Sequence, residues 1–242
     1  MKTPVVHQGA ISLERAEFLN RIRNSLRHTL LPEASPEHPG SFEGYTIQVD
    51  APVDQLIEDF RRELETLAGH VYTPKDRAEV VPIILKILRR HKAKRLIAWD
   101  ETDLGLAGIN AALAKAGLLI EPDSMPFNGV ERKERLAQLD GVIVGLTGAD
   151  AGLADTGTLA LISGPGRGRL ASLLPPVHIA LLPAQRLYPS LPTFLASNPS
   201  AATQGSNLVF VAGPSRSGDI ELSLSIGVHG PGEVHVIILP EG

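Results

Sequence analysis

Cysteine is absent from this chain of 242 residues. Without a thiolate the protein can form no disulfide, no cysteine-type zinc site and no cysteine-ligated iron–sulfur cluster. Aromatic residues are also scarce, at 4% of the chain, and the formal net charge is -4. Few rings are left to stack on bases and no overall positive field attracts phosphates, so the composition argues against nucleic acid as a partner.

Long apolar runs are missing too. No stretch approaches the roughly 18 apolar residues of a membrane span, and the first residues, MKTPVVHQGAISLERAEF, lack the apolar segment of a secretion signal. We therefore expect no membrane span and a cytoplasmic location. Lysine is absent after Lys133, so arginine must bind any anion in the carboxy-terminal half.

The amino-terminal segment differs from the remainder of the chain. Leucine and isoleucine recur at helical spacing within residues 12–31, and the next segment, PEASPEHPGSFEG, is rich in Pro, Ser and Gly. We predict a helix with a linker over 1–44 and one domain over 45–242.

Helix and strand patterns alternate from residue 45 to residue 146, which predicts a wound α/β domain. Thereafter the loops lengthen and four apolar strands follow, TLALIS, VHIALL, LVFVA and VHVIIL, of which LVFVA has the pattern of a fully buried strand. A helix is predicted over about 218–226. The predicted fold is a mixed, mostly parallel sheet with helices on both faces, and its ligand crevice is expected at the carboxyl ends of the strands.

The first candidate loop is GADAGLADTGT at 148–158. Its free amides and the hydroxyls of Thr156 and Thr158 can hold a carboxylate or phosphate, and Asp155 can act as a proton acceptor or bind a ribose. The alternative is a turn held by hydrogen bonds between its own side chains and backbone.

The second candidate loop is GPGRGRLASLLPPVH at 164–178. Arg167 and Arg169 lie among glycines, with Ser172 after them, and a flexible arginine loop suits anion recognition. The alternative is a solvated hairpin loop with His178 as a hydrogen-bonded strand residue.

The third candidate loop, AGPSRSGDIELSLSIGVHGPGEVH at 212–235, combines Ser215, Arg216, Asp219 and Glu221 at a predicted helix start. Free amides at a helix start, together with an arginine, favour an anion. The alternative is simple helix capping by a serine or aspartate. His229, in the turn that follows, is a candidate for proton transfer.

No metal site is expected from the histidine pattern. His178, His229 and His235 are scattered over strands and loops and lack the i, i+4 spacing of a helical zinc pair.

Four segments together carry a resemblance to a known family. The run Asp155-Thr156-Gly157-Thr158, the segment from Arg169 through Ser172 to His178, the run Gly213–Glu221 and the turn Gly227–Pro231 resemble the signature of the lactate utilisation protein C family, whose members carry a LUD domain. Asp155 stands where many relatives have Glu.

The resemblance implies a fold like that of glucosamine-6-phosphate deaminase, ribose-5-phosphate isomerase and CoA transferases. It also implies a subunit that acts with iron–sulfur partner proteins in the oxidation of L-lactate to pyruvate, while binding no cofactor itself. Two alternatives stay open: a stand-alone enzyme on a sugar phosphate or acyl-CoA, and a non-catalytic assembly subunit. The residues expected to contact the small organic anion are Thr156, Thr158, Arg169, Ser172, Ser215, Arg216, Asp219 and Glu221, with His229 and Asp155 as the catalytic candidates.

Overall fold

The computed structural model describes residues 15–24, 51–218, 224–226 and 230–241. The chain divides into two units, Met1–Tyr45 and Thr46–Gly242. In the first unit, residues 15–24 form a helix, α1, with exposed side chains. The predicted amino-terminal helix is therefore present, and the remainder of its predicted range lies outside the described residues.

The second unit alternates helices and strands as the sequence predicts. Its helices are α2 Val53–Thr66, α3 Val80–Arg90, α4 Ile109–Lys115, α5 Gly129–Leu139, α6 Leu170–Leu173 and α7 Leu191–Ser197. Its strands are β1 His70–Tyr72, β2 Arg95–Ala98, β3 Leu119–Pro122, β4 Val144–Gly148, β5 Ala151–Leu153, β6 Thr158–Ser163, β7 Val177–Pro183, β8 Leu187–Tyr188, β9 Asn207–Val211, β10 Arg216–Gly218, β11 Leu224–Ile226 and β12 Glu233–Leu239. None of the helices in the described part of the chain is both long and apolar enough to cross a membrane.

The main sheet has six strands in the order β1-β12-β7-β4-β2-β3, and each neighbouring pair is parallel. Its central strands β4, β7 and β12 are almost entirely buried. Strands covered on both faces are apolar in near-continuous runs, which is why VHIALL and VHVIIL lack the alternation of a half-exposed strand. The α/β class and the mostly parallel sheet are confirmed.

Helix α2 packs through one stripe of its surface. Leu56, Phe60 and Leu64 recur at a spacing of four residues and are buried, while most of the side chains between them are at least partly exposed. Each large side chain that is fully buried contributes roughly 1.5–3 kcal/mol. The spacing thus determines both the helix and the face that it turns to the core.

The short helix α6 lies directly against β4. A Cβ atom placed on Gly145 would lie only 1.7 Å from the Ala171 carbonyl oxygen. Glycine is therefore required at this position of the buried strand, because any side chain would push α6 away from the sheet.

The remaining strands form a four-stranded sheet, β8-β5-β6-β9, and the hairpin β10–β11. The predicted helix over 218–226 is wrong, because β10 pairs antiparallel with β11. The segment from Ile220 to Ile226 alternates apolar and polar residues without a break, the period of a strand. LVFVA is also less buried than predicted: β9 is an edge strand whose Phe210 is 41% exposed.

Parallel strands give the main sheet two distinct edges. The carboxyl ends of β2, β3, β4 and β7 lie along one edge, which we call the carboxyl edge. The amino ends of β1 and β12 lie along the opposite edge, which we call the amino edge. Helix α3, which follows β1 in the chain, ends there, since His91 after its last turn contacts Glu233 on β12.

Candidate functional site

A crevice opens at the carboxyl edge of the main sheet. It has a volume of about 80 Å³. Open α/β sheets commonly bind ligands beyond the carboxyl ends of their strands, so its position matches the expected one. The residues that line it are Thr102, Asp103, Leu104, Gly105, Ala149, Arg167, Leu181, Pro183 and Arg186.

Arg167 enters the crevice from a tight turn. Pro165 and Gly166 occupy its centre, Gly166 has φ 71°, and Gly164 and Arg167 exchange two backbone hydrogen bonds of 3.1 and 3.0 Å. A proline followed by a glycine with positive φ is the signature of a type II turn. The tight turn covers only Gly164–Arg167. The whole loop is not a hairpin, because β6 and β7 belong to different sheets and α6 lies between them.

The Arg167 side chain is held on three sides. It forms an ion pair with Asp150, its Nε lies 3.8 Å from Asp103 Oδ1, and its guanidinium lies 4.8 Å from the centre of the Trp99 ring. The Trp99 Nε1 donates in turn to the Gly168 carbonyl oxygen at 2.8 Å. Two carboxylates and an aromatic face fix this arginine, so its charge is largely neutralised within the protein.

Asp150 organises the same edge, because it lies just after β4. Besides pairing with Arg167, its Oδ2 accepts the backbone N–H of Ile162 at 2.6 Å. One carboxylate thus joins β4, β6 and the arginine turn. The sequence showed Asp150 only as one polar residue of a glycine-rich loop.

Arg186 is the second cation of the crevice, and its surroundings differ from those of Arg167. Its side chain is exposed, and its Nη1 donates to the Ala149 carbonyl oxygen at 2.9 Å. Within the described part of the chain it takes part in no ion pair. A guanidinium has five N–H donors, so most of them remain for an anion in the crevice.

Asp123, at the end of β3, was missed by the sequence reasoning. It is 8% exposed, its Oδ2 accepts the Ala171 N–H at 3.0 Å, and burial raises its pKa to about 6. This carboxyl group is thus close to half-protonated in mildly acidic solution. No motif marks it in the sequence, since an aspartate after a strand is usually a turn residue.

The first predicted loop is a compact turn. Asp155 and Thr156 are exposed, and the Thr156 hydroxyl donates to Asp155 Oδ1 at 3.2 Å. Thr158 is buried at 7% exposure, and a Cβ on Gly157 would lie 2.4 Å from the Leu64 nitrogen. The Thr158 hydroxyl donates to the Thr156 carbonyl oxygen at 3.5 Å, a bond of the kind that the turn alternative expects. A ligand role for the three polar residues stays a prediction.

In the second loop, Arg169 is exposed and stands immediately before α6. The Ser172 hydroxyl donates to the Arg169 carbonyl oxygen at 3.1 Å, and Ser172 is only 4% exposed. Its hydroxyl is therefore already used inside its own helical turn.

In the third loop, the backbone N–H of Ser215 donates to the Pro231 carbonyl oxygen at 2.7 Å. Arg216 begins β10, so the free amides that were expected from a helix start do not lie beside it. Asp219, Glu221 and His229 lie outside the described residues.

The structure separates the predicted loops into two groups. Gly157 of the first loop and Gly213 of the third both pack on the end of α2, against Leu64 and Leu67. Arg167 of the second loop lies instead at the carboxyl edge. The arginine turn thus shares the crevice with Arg186, a residue that the sequence reasoning did not select.

Two histidines on neighbouring central strands are fully buried, His178 and His235. The His178 Nε2 lies 2.8 Å from the Thr147 hydroxyl, as expected for a hydrogen-bonded strand residue. Burial lowers the pKa of both imidazoles to about 4. Both rings are therefore neutral at pH 7.

The family model described as the LUD domain matches residues 57–239. The chain belongs to the LUD domain family. The resemblance drawn from its loop motifs is confirmed, whereas the predicted domain limits, 45–242, stay a prediction.

Relatives of this LUD domain chain extend over most of its length. The protein named lactate utilization protein C from Halalkalibacterium halodurans is 33% identical, over 74% of this chain and 76% of that protein. The protein of the same name from Exiguobacterium is 37% identical, over 97% of this chain and 99% of that one. A crystal structure of a DUF162 family protein from Deinococcus radiodurans covers 78% of this chain and 99% of that chain with a TM-score of 0.57. At 22% identity, this last likeness supports the fold alone.

Proposed function

We propose that this LUD domain protein takes part in lactate utilisation. The observation that carries the proposal is the match to proteins named lactate utilization protein C, which extends over 97% of this chain for the relative from Exiguobacterium. A likeness of that extent covers the crevice, both sheets and all three predicted loops.

The finer proposal is a subunit that binds a small organic anion and acts with iron–sulfur partner proteins in the oxidation of L-lactate to pyruvate. That oxidation removes two electrons and two protons from the substrate. The chain has no cysteine to ligate a cluster, so the partners accept the electrons in this scheme. His229 and Asp155 stay the candidates for moving a proton.

The crevice is the proposed site for the anion. Arg186 offers several N–H donors in a fork that matches a carboxylate. Arg167 is paired with Asp150 and Asp103. Its side chain therefore lines the crevice, but its positive charge is already balanced by these carboxylates. Arg186 is therefore the principal anion-binding residue in this proposal.

Arg186→Ala is expected to weaken binding of lactate or pyruvate by roughly ten- to a hundredfold, since a charge-assisted hydrogen bond is worth about 1.5–3 kcal/mol. Arg186→Lys keeps the charge but loses the fork, so it should recover only part of the affinity. Isothermal titration calorimetry on the purified protein with lactate, pyruvate and phosphate measures these effects.

Arg169→Ala and Arg216→Ala are the matched controls, each removing one arginine from another predicted position. Both should bind the anion as wild type does if the site is the crevice. A loss confined to Arg216→Ala would place the site at the third loop instead. Tight binding of phosphate with none of lactate or pyruvate would favour the rival enzyme on a sugar phosphate.

Lactate-dependent electron transfer is expected only when this chain and its iron–sulfur partners are combined, because substrate binding and electron carriage reside in different proteins. The measurement is lactate-dependent reduction of a dye by the purified components, singly and together. Full activity of the partners without this chain would contradict its role as an active subunit, and turnover by this chain alone would contradict the division of labour.

A further inference from the structure

A second polar cluster lies at the amino edge of the main sheet and takes no part in the crevice. His70 on β1 is in register with His235 on β12, and their rings stack with centroids 4.7 Å apart. Glu233 precedes His235 by two residues on the same strand, so both side chains point to the same face. We call His70, Glu233 and His235 the amino-edge triad.

The donor atoms of the triad converge. One ligand atom from each residue can be chosen so that all three lie within 4.8 Å of one another. The distance between His235 Nε2 and Glu233 Oε2 is 3.4 Å. Two donors on one metal ion, each about 2.1 Å from it, lie about 3–4 Å apart. The His70 and His235 rings are stacked with an interplanar angle of 23°, so one ring must rotate to direct both in-plane nitrogen lone pairs at the same ion.

Two of these atoms also lack the hydrogen bonds that burial demands. Among the described residues, His235 Nε2 and Glu233 Oε2 are both buried without a hydrogen-bond partner. The His235 side chain is 1% exposed. His91 Nε2 is buried in the same way, and both imidazole nitrogens lie within 3.4 Å of Glu233 Oε2. The carboxylate oxygen is therefore the point on which the imidazole nitrogens converge.

We propose that the amino-edge triad binds a divalent transition metal ion through His70, Glu233 and His235. Two imidazoles and one carboxylate are the ligand set of several zinc enzymes and of non-haem iron(II) sites, both of which keep coordination positions open for water or substrate. His70 and Glu233 are only partly buried, so an open position on this ion faces solvent.

The surroundings orient His235 for this role. The Tyr72 hydroxyl lies 3.1 Å from His235 Nδ1. With a metal ion on Nε2, Nδ1 carries the proton and donates to the tyrosine oxygen, the arrangement that outer hydrogen bonds impose on metal-binding histidines.

Two further residues approach Glu233. His91 Nε2 lies 3.2 Å from Glu233 Oε2, whereas the His91 and His235 rings are 6.4 Å apart at their centroids. The nearest Arg90 nitrogen lies 4.0 Å from the same carboxylate oxygen. His91 is thus placed to support the carboxylate, and the competing explanation of the cluster is a simple ion pair between a protonated His91 and Glu233.

The experiment uses the full chain, stripped with a chelator and titrated with Zn²⁺ by calorimetry, with Co²⁺ as a spectroscopic probe. Wild type should bind one zinc ion with a Kd of about 1 µM or tighter and should show the visible absorption of protein-bound cobalt. Glu233→Gln and His70→Gln should each weaken zinc binding at least roughly tenfold and abolish the cobalt spectrum. His91→Gln should weaken binding less than either of them and leave the cobalt spectrum in place, because the three ligands remain.

Glu131→Gln, on the exposed surface of α5, is the matched control and should bind as wild type does. Circular dichroism confirms that each variant is folded, and Glu233→Gln is informative even if His70→Gln fails to fold. Absence of zinc binding in wild type overturns the proposal. Equal binding by Glu233→Gln and wild type overturns it as well, because the ion then lies elsewhere.

Discussion

Gly145→Ala is expected to destabilise the protein by about 3–5 kcal/mol, a large effect for one methyl group. The new Cβ would lie 1.7 Å from the Ala171 carbonyl oxygen, whereas real Cβ atoms essentially never come within 3.0 Å of another heavy atom. The contact is with backbone rather than with a side chain that can rotate, so α6 must shift away from β4. Urea denaturation followed by circular dichroism measures the loss.

Gly164→Ala is the matched control for this substitution. A Cβ added at Gly164 would meet no atom within 4 Å, and the residue has no positive φ, so the stability of this variant should stay within about 0.5 kcal/mol of wild type. Similar stabilities for the two variants would mean that α6 does not lie against β4 as described. Because α6 begins beside Asp123, a displaced helix should also disturb the carboxyl edge.

The free energy of unfolding is expected to fall as the pH decreases from about 6.5 to 4. The pKa of His178 and of His235 is about 4 in the folded protein, against an ordinary value of 6.5. A lowered histidine pKa means that the unfolded chain binds protons first, so stability is lost as the pH falls through this range. Each histidine contributes a loss of about 3 kcal/mol once the pH reaches the lower value.

Protonation of Asp123 has the opposite effect on the free energy of unfolding. Burial raises its pKa to about 6 from 3.8, so the folded protein binds the proton first and stability recovers by about 3 kcal/mol as the pH falls to 4. The two histidines outweigh the one aspartate, so these three groups together lose about 3 kcal/mol in wild type. The lowered pKa of Glu121, which pairs with Arg135 and Arg95, acts in the same direction as the histidines.

Two variants separate these contributions in urea denaturation at pH 7 and pH 4, in buffer that contains a chelator. His178→Gln should remove most of the net loss, because glutamine keeps a polar partner for Thr147 and does not titrate. Asp123→Asn should double the loss, because the compensating proton is gone. If both variants follow the wild-type pH profile, these buried groups do not control acid stability.

The sequence determined the α/β class because apolar periodicity reports burial directly. VHIALL and VHVIIL are short, rich in β-branched residues and continuously apolar, which is typical of strands covered on both faces, and the spacing of Leu56, Phe60 and Leu64 is typical of a helix with one buried stripe. The segment from Ile220 to Ile226 carries an equally clear strand pattern, but Gly218 and Asp219 before it resemble a helix start, which is why the predicted helix is wrong.

The sequence also determined the family, since the four loop motifs carry it, and it excluded iron–sulfur ligation by cysteine through the missing thiols. It did not determine which loops meet. Arg167 was expected in a flexible loop suited to anion recognition, and the structure places it between Asp150, Asp103 and Trp99. These partners come from separate segments, and only the order of the strands brings them together.

The amino-edge triad shows most clearly that the sequence does not determine which distant residues meet. His70 and His235 are separated by 165 positions in the chain (235 minus 70), and no spacing rule connects them. Parallel pairing of β1 with β12 sets them in register, and the alternation of side chains along β12 adds Glu233 to the same face. Local pattern determined most strands and helices of this protein, whereas strand order and register, which depend on long-range packing, decided which side chains form a site.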